Sequence, residues 1–120
     1  MSGVTVFPAG TRRFETYLAP SATSGGARIA RLVDGDLSQS MGGGVVVYER
    51  LTVAWDLPFD EMIVVLEGAM RIHSGGAVHD CGPGDVAWFP AHTALRYEVP
   101  ERVVVFYATY PIAPRAAAQA

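Results

Sequence analysis

The residue most able to do chemistry is Glu61, because its neighbours in the stretch WDLPFDEMIVVLEG (55–68) are mostly apolar. A carboxylate that folding places in an apolar pocket is costly to ionise, so its pKa rises and it can act as a general acid or base near neutral pH. If Arg50 paired with it, the pKa would fall back and the carboxylate would become a structural anchor. The sequence therefore raises the question of what surrounds Glu61.

Composition restricts the protein classes that remain open. The chain has 120 residues, enough for one domain, with 50% hydrophobic and 18% charged residues and a net charge of −3. The nine basic residues are all arginine, which excludes a Schiff-base lysine and a phosphate-loop lysine. The acidic balance also disfavours nucleic acid as a partner.

Cellular context is indicated by three further features. The single cysteine, Cys81, cannot form an internal disulfide, which suggests a reducing compartment. The N-terminus has no apolar core of signal-peptide length, and the longest apolar run, residues 103–108, is too short to cross a bilayer. We therefore predict a cytoplasmic protein without a membrane partner.

Elements that could position Glu61 are short β-prone runs separated by Gly, Pro and Asp, with no sustained helical period. They predict an all-β fold in which residues 1–26 form an N-terminal arm packed on a barrel of residues 27–112, followed by a flexible tail over residues 113–120. The segment Ser74–Ala77 is predicted to be a two-residue hairpin turn that pairs Ile72 with His79. Trp88, Phe89 and Cys81 are predicted to be core residues.

Two spaced motifs carry a family resemblance. Glu61, six intervening residues and Gly68 resemble the second half of the first cupin motif, and Gly84-Asp85 with Pro90 resembles the second. Within the cupin superfamily, FDE (59–61), VLEG (65–68) and GDVAWFP (84–90) are most similar to the cupin domain of the ethanolamine-utilisation family EutQ. The resemblance implies a double-stranded β-helix barrel of two facing antiparallel sheets.

The same resemblance locates the positions at which most cupins hold a divalent metal. The two first-motif histidines correspond to Ala54 and Asp56, the motif carboxylate to Glu61, and the second-motif histidine to Leu95. Leucine and alanine cannot ligate, and one or two carboxylates alone hold a transition metal weakly. We therefore predict neither a bound metal nor any other cofactor.

Alternate side chains of a strand point to opposite faces, which predicts the residues that face the pocket. For the strand before Glu61 either set of alternate residues could point inward, and we call these two possibilities phases. In the phase we favour, Ala54 and Asp56 point inward together with Tyr48 and Arg50, and Leu51, Val53 and Trp55 form an outer stripe. In the other phase Trp55 lies inside and Arg50 outside. On the second motif, an inward Leu95 brings Tyr97 inward with it. His92 follows Pro90 at a position where cupins usually have glycine, which predicts a left-handed turn near the pocket mouth.

The function predicted from these residues is metal-independent acid–base chemistry on a small polar metabolite, of the lyase, isomerase or cyclase type. Glu61, Tyr97 and Tyr48 are the candidate catalytic residues. At least one of Tyr48, Tyr97 and Arg50 should donate a hydrogen bond to Glu61. The candidate substrate-binding residues are Arg50, Asp56, Trp55, His92 and Leu95. The alternative is a non-catalytic ligand-binding or assembly module related to ethanolamine utilisation. Surplus apolar side chains on the long strands predict a homodimer.

Overall fold

The computed structural model describes residues 3–112, which form an almost entirely β structure. A short 3-10 helix, Ala9–Thr11, precedes the strands, and no α-helix is present in the described part of the chain. Over the same residues, no helix is long and apolar enough to cross a membrane. The tail predicted over residues 113–120 lies outside the described residues. The eight strands are β1 Glu15–Leu18, β2 Ala27–Val33, β3 Gly42–Leu57, β4 Asp60–Gly68, β5 Met70–Ser74, β6 Ala77–Cys81, β7 Val86–Phe89 and β8 Thr93–Tyr110.

The strands form one antiparallel, hydrogen-bonded sheet that folds over to give two facing layers. Its main path runs β1-β2-β3-β8-β4-β7, and β5 and β6 join through β8. The long strands β3 and β8 belong to both layers, since β8 pairs with β4 through its second half and with β5 through its first half, and β3 follows β8 along both halves. This arrangement confirms the predicted all-β barrel of two antiparallel sheets. Within the predicted arm, β1 pairs with β2 and so extends the sheet.

The space between the layers is filled by the inward half of each alternating strand. Ile63 and Val65 of β4 and Val103 and Val105 of β8 are at most 2% exposed. A smaller cluster of Val45, Val47 and Val104 lies on the other face of the sheet, where Phe14 and Leu32 pack against it. Burial of such side chains contributes roughly 1.5–3 kcal/mol each to stability. Ile63, Val65, Val103 and Val105 belong to the main core between the layers, and Ile63 and Val105 line the same cavity as Glu61.

A β-bulge at Arg50 decides which side chains of β3 face inward. Arg50 has a φ of 47°, and the register changes there from Glu49 opposite Arg102 to Leu51 opposite Val99. Arg50 lies opposite two residues of β8, Pro100 and Glu101, and its left-handed backbone interrupts the alternation of β3, so that Tyr48 and Leu51 both point into the core. The phase favoured from the sequence is therefore wrong beyond residue 50. Leu51, Val53 and Trp55 are buried inside, whereas Ala54 and Asp56 are exposed.

The loop before β2 stabilises this bulge, because its backbone approaches β3 closely at Gly25. The Gly25 amide donates a hydrogen bond to the Arg50 carbonyl at 2.7 Å. A Cβ added at Gly25 would lie 1.8 Å from the Glu49 carbonyl oxygen, so only glycine fits. The loop before β2 is thus shaped to receive the bulge in β3.

Two local predictions have different outcomes. The β5–β6 hairpin has the predicted turn, with Ser74 opposite Ala77 and Ile72 opposite His79. Phe89 is buried as predicted, but the prediction for Trp88 is wrong, because its side chain is 56% exposed. Adjacent residues of a strand point to opposite faces, so an inward Phe89 forces Trp88 outward.

Trp88 belongs to an exposed apolar surface on the outside of the molecule. Met62 of β4 lies opposite Trp88 of β7, and Val64 lies opposite both Val86 of β7 and Phe106 of β8. Large apolar side chains therefore continue across three neighbouring strands. We call this surface, formed by Met62, Val64, Val86, Trp88, Phe106 and Tyr110, the β7–β4–β8 face.

Candidate functional site

A cavity lies between the two layers at the end where β4 begins. Its free volume is about 100 Å³, several times what one water molecule needs. The lining is mainly aromatic and aliphatic, with a few polar groups, as is usual for small-molecule sites. The residues that carry aromatic rings or polar side chains are Tyr17, Arg31, Asp34, Tyr48, Trp55, Phe59, Glu61, Tyr97, Tyr107 and Thr109.

Glu61 is brought to this cavity by the alternation of β4. Its backbone pairs with Phe89 of β7 and Thr109 of β8, so two neighbouring strands fix its direction. Burial raises the pKa of Glu61 from 4.5 to about 7, because the charged form loses its hydration inside the barrel. A carboxyl group with such a pKa exists in both protonation states near neutral pH. It can therefore donate or accept a proton there.

Two tyrosines stand next to Glu61 in the interior. The rings of Tyr48 and Tyr97 meet edge to face, with centroids 5.5 Å apart and planes at 82°. Burial raises the pKa of Tyr97 well above its ordinary value, and the negative charge of Glu61 adds to the effect. Burial likewise raises the pKa of Tyr48 well above its ordinary value, with the neighbouring Tyr97 as the next cause. Both phenols therefore stay protonated and can act as hydrogen-bond donors, not as bases.

A third tyrosine, Tyr17, was not anticipated from the sequence. It is skipped where the β1–β2 register shifts between Thr16 and Leu18, and its ring stacks on Trp55 with centroids 5.8 Å apart. Burial raises the pKa of Tyr17 to about 12, with the Glu61 charge as the next cause. The Arg31 guanidinium lies 5.7 Å from the centre of the Tyr17 ring and forms an ion pair with Glu15. The arm thus contributes a wall of the cavity.

The residues predicted to bind substrate do not all lie where the favoured alternation of β3 would put them. Trp55 lines the cavity, as the second phase required. Leu95 is buried in the core but is not part of the lining, and Arg50 and Asp56 are exposed on the outside. His92 has the predicted left-handed backbone, with φ of 70°, but it is exposed and does not border the cavity.

The predicted hydrogen bond to Glu61 is absent. Within residues 3–112 neither Tyr48, Tyr97 nor Arg50 donates to the Glu61 carboxyl, and burial is the one cause of its raised pKa. Arg50 cannot reach it, because the bulge turns that side chain outward. Glu61 is consequently a half-buried carboxyl without a compensating cation among the described residues.

Two further polar atoms at the cavity wall lack partners. The Trp55 indole nitrogen and the Thr109 hydroxyl are both buried, and neither has a hydrogen bond among the described residues. An unsatisfied buried polar group costs about 1–3 kcal/mol. These two atoms lie on opposite layers, Trp55 on β3 and Thr109 on β8. Thr109 lies directly opposite Glu61 in the sheet.

The described residues do not form a metal site of the usual cupin kind. Residues 3–112 contain no group of three or more His, Cys, Asp or Glu side chains placed to hold an ion. Of the cupin ligand positions, Ala54 and Asp56 are exposed on the outer face and Leu95 is in the core, so only Glu61 faces the cavity. The donor set present does not fit a divalent metal.

Comparison with known proteins places these features in a family. The acetate kinase EutQ of Escherichia coli (strain K12) is 30% identical over 80 residues, which cover 67% of this chain and 34% of that protein. The chain therefore spans about a third of the length of this curated relative. The family described as ethanolamine utilisation protein EutQ matches residues 14–115.

Solved structures show the same architecture. The Clostridium difficile EutQ protein superposes with a TM-score of 0.69 at 24% identity, covering 72% of this chain and 64% of that one. The polyketide cyclase RemF from Streptomyces resistomycificus superposes with a TM-score of 0.76 at 13% identity, covering 93% and 83% of the two chains. At these identities the likeness concerns the fold. Together with the sequence match over residues 14–115, it shows that the protein belongs to the EutQ family and has the cupin fold.

Proposed function

We propose that this EutQ-family cupin binds a small polar metabolite in the cavity and acts on it by metal-independent acid–base chemistry, with Glu61 as the proton-transferring group. The observation that carries the proposal is a carboxyl group with a pKa of about 7 in a partly enclosed, mostly apolar cavity. Such groups cluster at functional sites, because folding alone gains nothing from a buried, unpaired carboxylate. A cytoplasmic location is part of the same proposal.

In this mechanism Glu61 removes a proton from the substrate, or adds one, at an atom held against it. Tyr48 and Tyr97 donate hydrogen bonds to an oxygen that gains negative charge during the step. They suit this role because their raised pKa values keep both phenols protonated. Exclusion of water by the aromatic walls strengthens these interactions. Lyase, isomerase and cyclase reactions can each proceed with this combination of groups.

The names of similar proteins support chemistry in this fold without identifying the reaction. RemF is called a polyketide cyclase, and the Escherichia coli relative is called an acetate kinase. We do not extend the kinase activity to this chain, because it contains no lysine for a phosphate loop. Proton transfer in a shaped, dry cavity is the chemistry that its own residues support.

The test begins with a screen of small metabolites for binding by thermal shift, followed by turnover assays on the compounds that bind. Glu61→Gln should lower turnover by about a hundred-fold or more, since general acid–base catalysis contributes that much. Glu67→Gln is the matched control, because Glu67 is on the same strand but exposed in an ion pair with Arg102. Turnover by the wild type should survive a chelator. Full turnover in the Glu61→Gln variant, or loss of turnover with chelator, would contradict the proposal.

A non-catalytic assembly role is the second candidate, and the β7–β4–β8 face favours its self-association form. The stripe predicted to lie on the outside, Leu51, Val53 and Trp55, is buried in the core. The exposed side chains of Met62, Trp88 and Tyr110 provide another apolar surface of the kind that mediates association. We propose that two copies pack through this face as a homodimer.

Sedimentation velocity tests the homodimer. The wild-type protein should sediment with twice the chain mass at micromolar concentration, and a double variant, Met62→Asp with Trp88→Asp, should sediment as a monomer with an unchanged β-sheet spectrum. Leu66→Asp, on the same strand and also exposed, is a control at the margin of the face. A wild-type mass of one chain would contradict the proposal.

A further inference from the structure

Aromatic side chains line much of the cavity that holds Glu61. Four of the chain's five tyrosines line the cavity, together with Trp55 and Phe59. Tyr97 stands at 72° to Trp55 and at 82° to Tyr48, whereas Tyr17 stacks on Trp55 at 21°. Both faces and edges of aromatic rings therefore border the free space. Tyrosine and tryptophan faces attract cations within about 6 Å of the ring centre.

The charges in the cavity wall favour the same class of ligand. Arg31 is ion-paired with Glu15 and lies over the Tyr17 ring, so its charge is already compensated. Glu61 has no compensating cation among the described residues. A cationic ligand would supply the missing charge, whereas an anion would meet an unpaired carboxylate.

We propose that the cavity selects an organic ammonium ion, a protonated or quaternary amine, whose positive end lies against the Glu61 carboxylate and the surrounding rings. The inference deepens the proposed function, because it treats the same cavity as the ligand site. It adds the charge of the ligand, which acid–base chemistry by itself does not specify. The rest of such a ligand would lie among the phenol and indole groups, where the Trp55 nitrogen can donate to an oxygen.

Binding of a cation should be coupled to proton release. The titratable and charged groups that face Glu61 across the cavity are Tyr17, Arg31, Asp34, Tyr48, Tyr97 and Tyr107. The raised pKa values of Tyr17, Tyr48 and Tyr97 keep these phenols neutral, and arginine does not deprotonate. A cation stabilises the charged form of Glu61, so at pH 7 about half a proton should leave per ligand bound.

Three molecules of one shape and different charge test the proposal: choline, its neutral carbon analogue 3,3-dimethylbutan-1-ol, and the anion 3,3-dimethylbutanoate. Binding is measured by calorimetry at pH 7 in two buffers of different ionisation enthalpy. A Trp88→Phe background leaves Trp55 as the only tryptophan, so that its fluorescence reports the location of binding. Choline should bind at least about ten-fold more tightly than the neutral analogue, which corresponds to 1.4 kcal/mol.

The Glu61→Gln variant separates the charge effect from the shape of the cavity. It should bind choline about ten-fold more weakly without proton release, and its affinity for the neutral analogue should stay within about three-fold of wild type. Glu67→Gln should behave as wild type. Equal or tighter binding of the neutral or anionic analogue, with a Trp55 response, would overturn the ammonium preference and leave the cavity standing as a ligand site. Absence of a Trp55 response to all three molecules would also overturn the inference. The metabolite screen tests the proposed function separately.

Discussion

Two carboxylates in this protein, Glu61 and Glu98, show opposite responses to their surroundings. Glu61 lies inside the barrel, and burial raises its pKa to about 7. Glu98 lies on the outer side of β8, where a hydrogen bond with His73 at 2.8 Å lowers its pKa, helped by the nearby Arg71. Both residues belong to the same folded-over sheet, so position relative to the two layers accounts for the difference.

The comparison separates a structural ion pair from a candidate reactive group. Glu98 is held by partners on β5 and belongs to a surface network in which Arg71 also pairs with Asp80. Exposed networks of this kind contribute little to stability and are weakened by salt. Glu61 has the reverse features, since it is buried and has no ion-pair partner among the described residues. A buried group of this kind is retained for a reason other than stability.

The largest effect expected from the comparison concerns the pH dependence of stability. The pKa of Glu61 is raised from 4.5 in the unfolded chain to about 7 in the folded protein. Folding therefore favours the protonated form, so the associated stability is complete below pH 4.5 and is lost as the pH rises to about 7. Between pH 5 and pH 8 this loss amounts to roughly 3 kcal/mol.

Chemical denaturation at the two pH values measures this loss. The free energy of unfolding of Glu61→Gln should lack this component, so at pH 8 the variant should be more stable than the wild type. Glu67→Gln controls for removing a carboxylate from β4. Parallel pH profiles for the wild type and Glu61→Gln would show that Glu61 ionises without penalty.

Glu98 should give a smaller effect of opposite sign. A lowered folded-state pKa stabilises the protein above the unfolded value and loses that contribution as the pH falls through the folded value. Glu98→Gln should therefore lower the denaturation midpoint slightly at pH 7, and less so at pH 3 or in 1 M salt. A midpoint shift that persists in high salt would mean that Glu98 acts through packing and not through charge.

The sequence predicted the fold and the central carboxylate but only part of the site. Two cupin-like motifs were enough to single out Glu61, which lines the cavity. The bulge at Arg50 was not predictable, because the bulged residue is not glycine and the glycine that receives it, Gly25, lies in a distant loop. The irregular pairing at Arg50 exchanged the inner and outer faces of the rest of β3.

Tyr17 and Thr109 were missed for different reasons. Tyr17 lies in a short strand with weak sequence periodicity, and a register shift with β2 determines its place in the structure. Thr109 ends a long apolar strand that gave no sign of which face would border a cavity. Trp88 was wrongly placed in the core because large aromatic side chains are usually buried, whereas alternation with the buried Phe89 turns it to the outer face of β7.

The most direct test of the account is the ionisation of Glu61 itself. Carbon-13 NMR of the glutamate side-chain carboxyls, assigned by comparison with Glu61→Gln, follows the titration of this group from pH 3 to pH 9. The account predicts a pKa of about 7 for Glu61 and a value below 4.5 for Glu98 in the same spectra. A Glu61 carboxyl that titrates at 4.5, as in an exposed glutamate, would contradict the claim that this side chain is a proton-transferring group in a dry cavity.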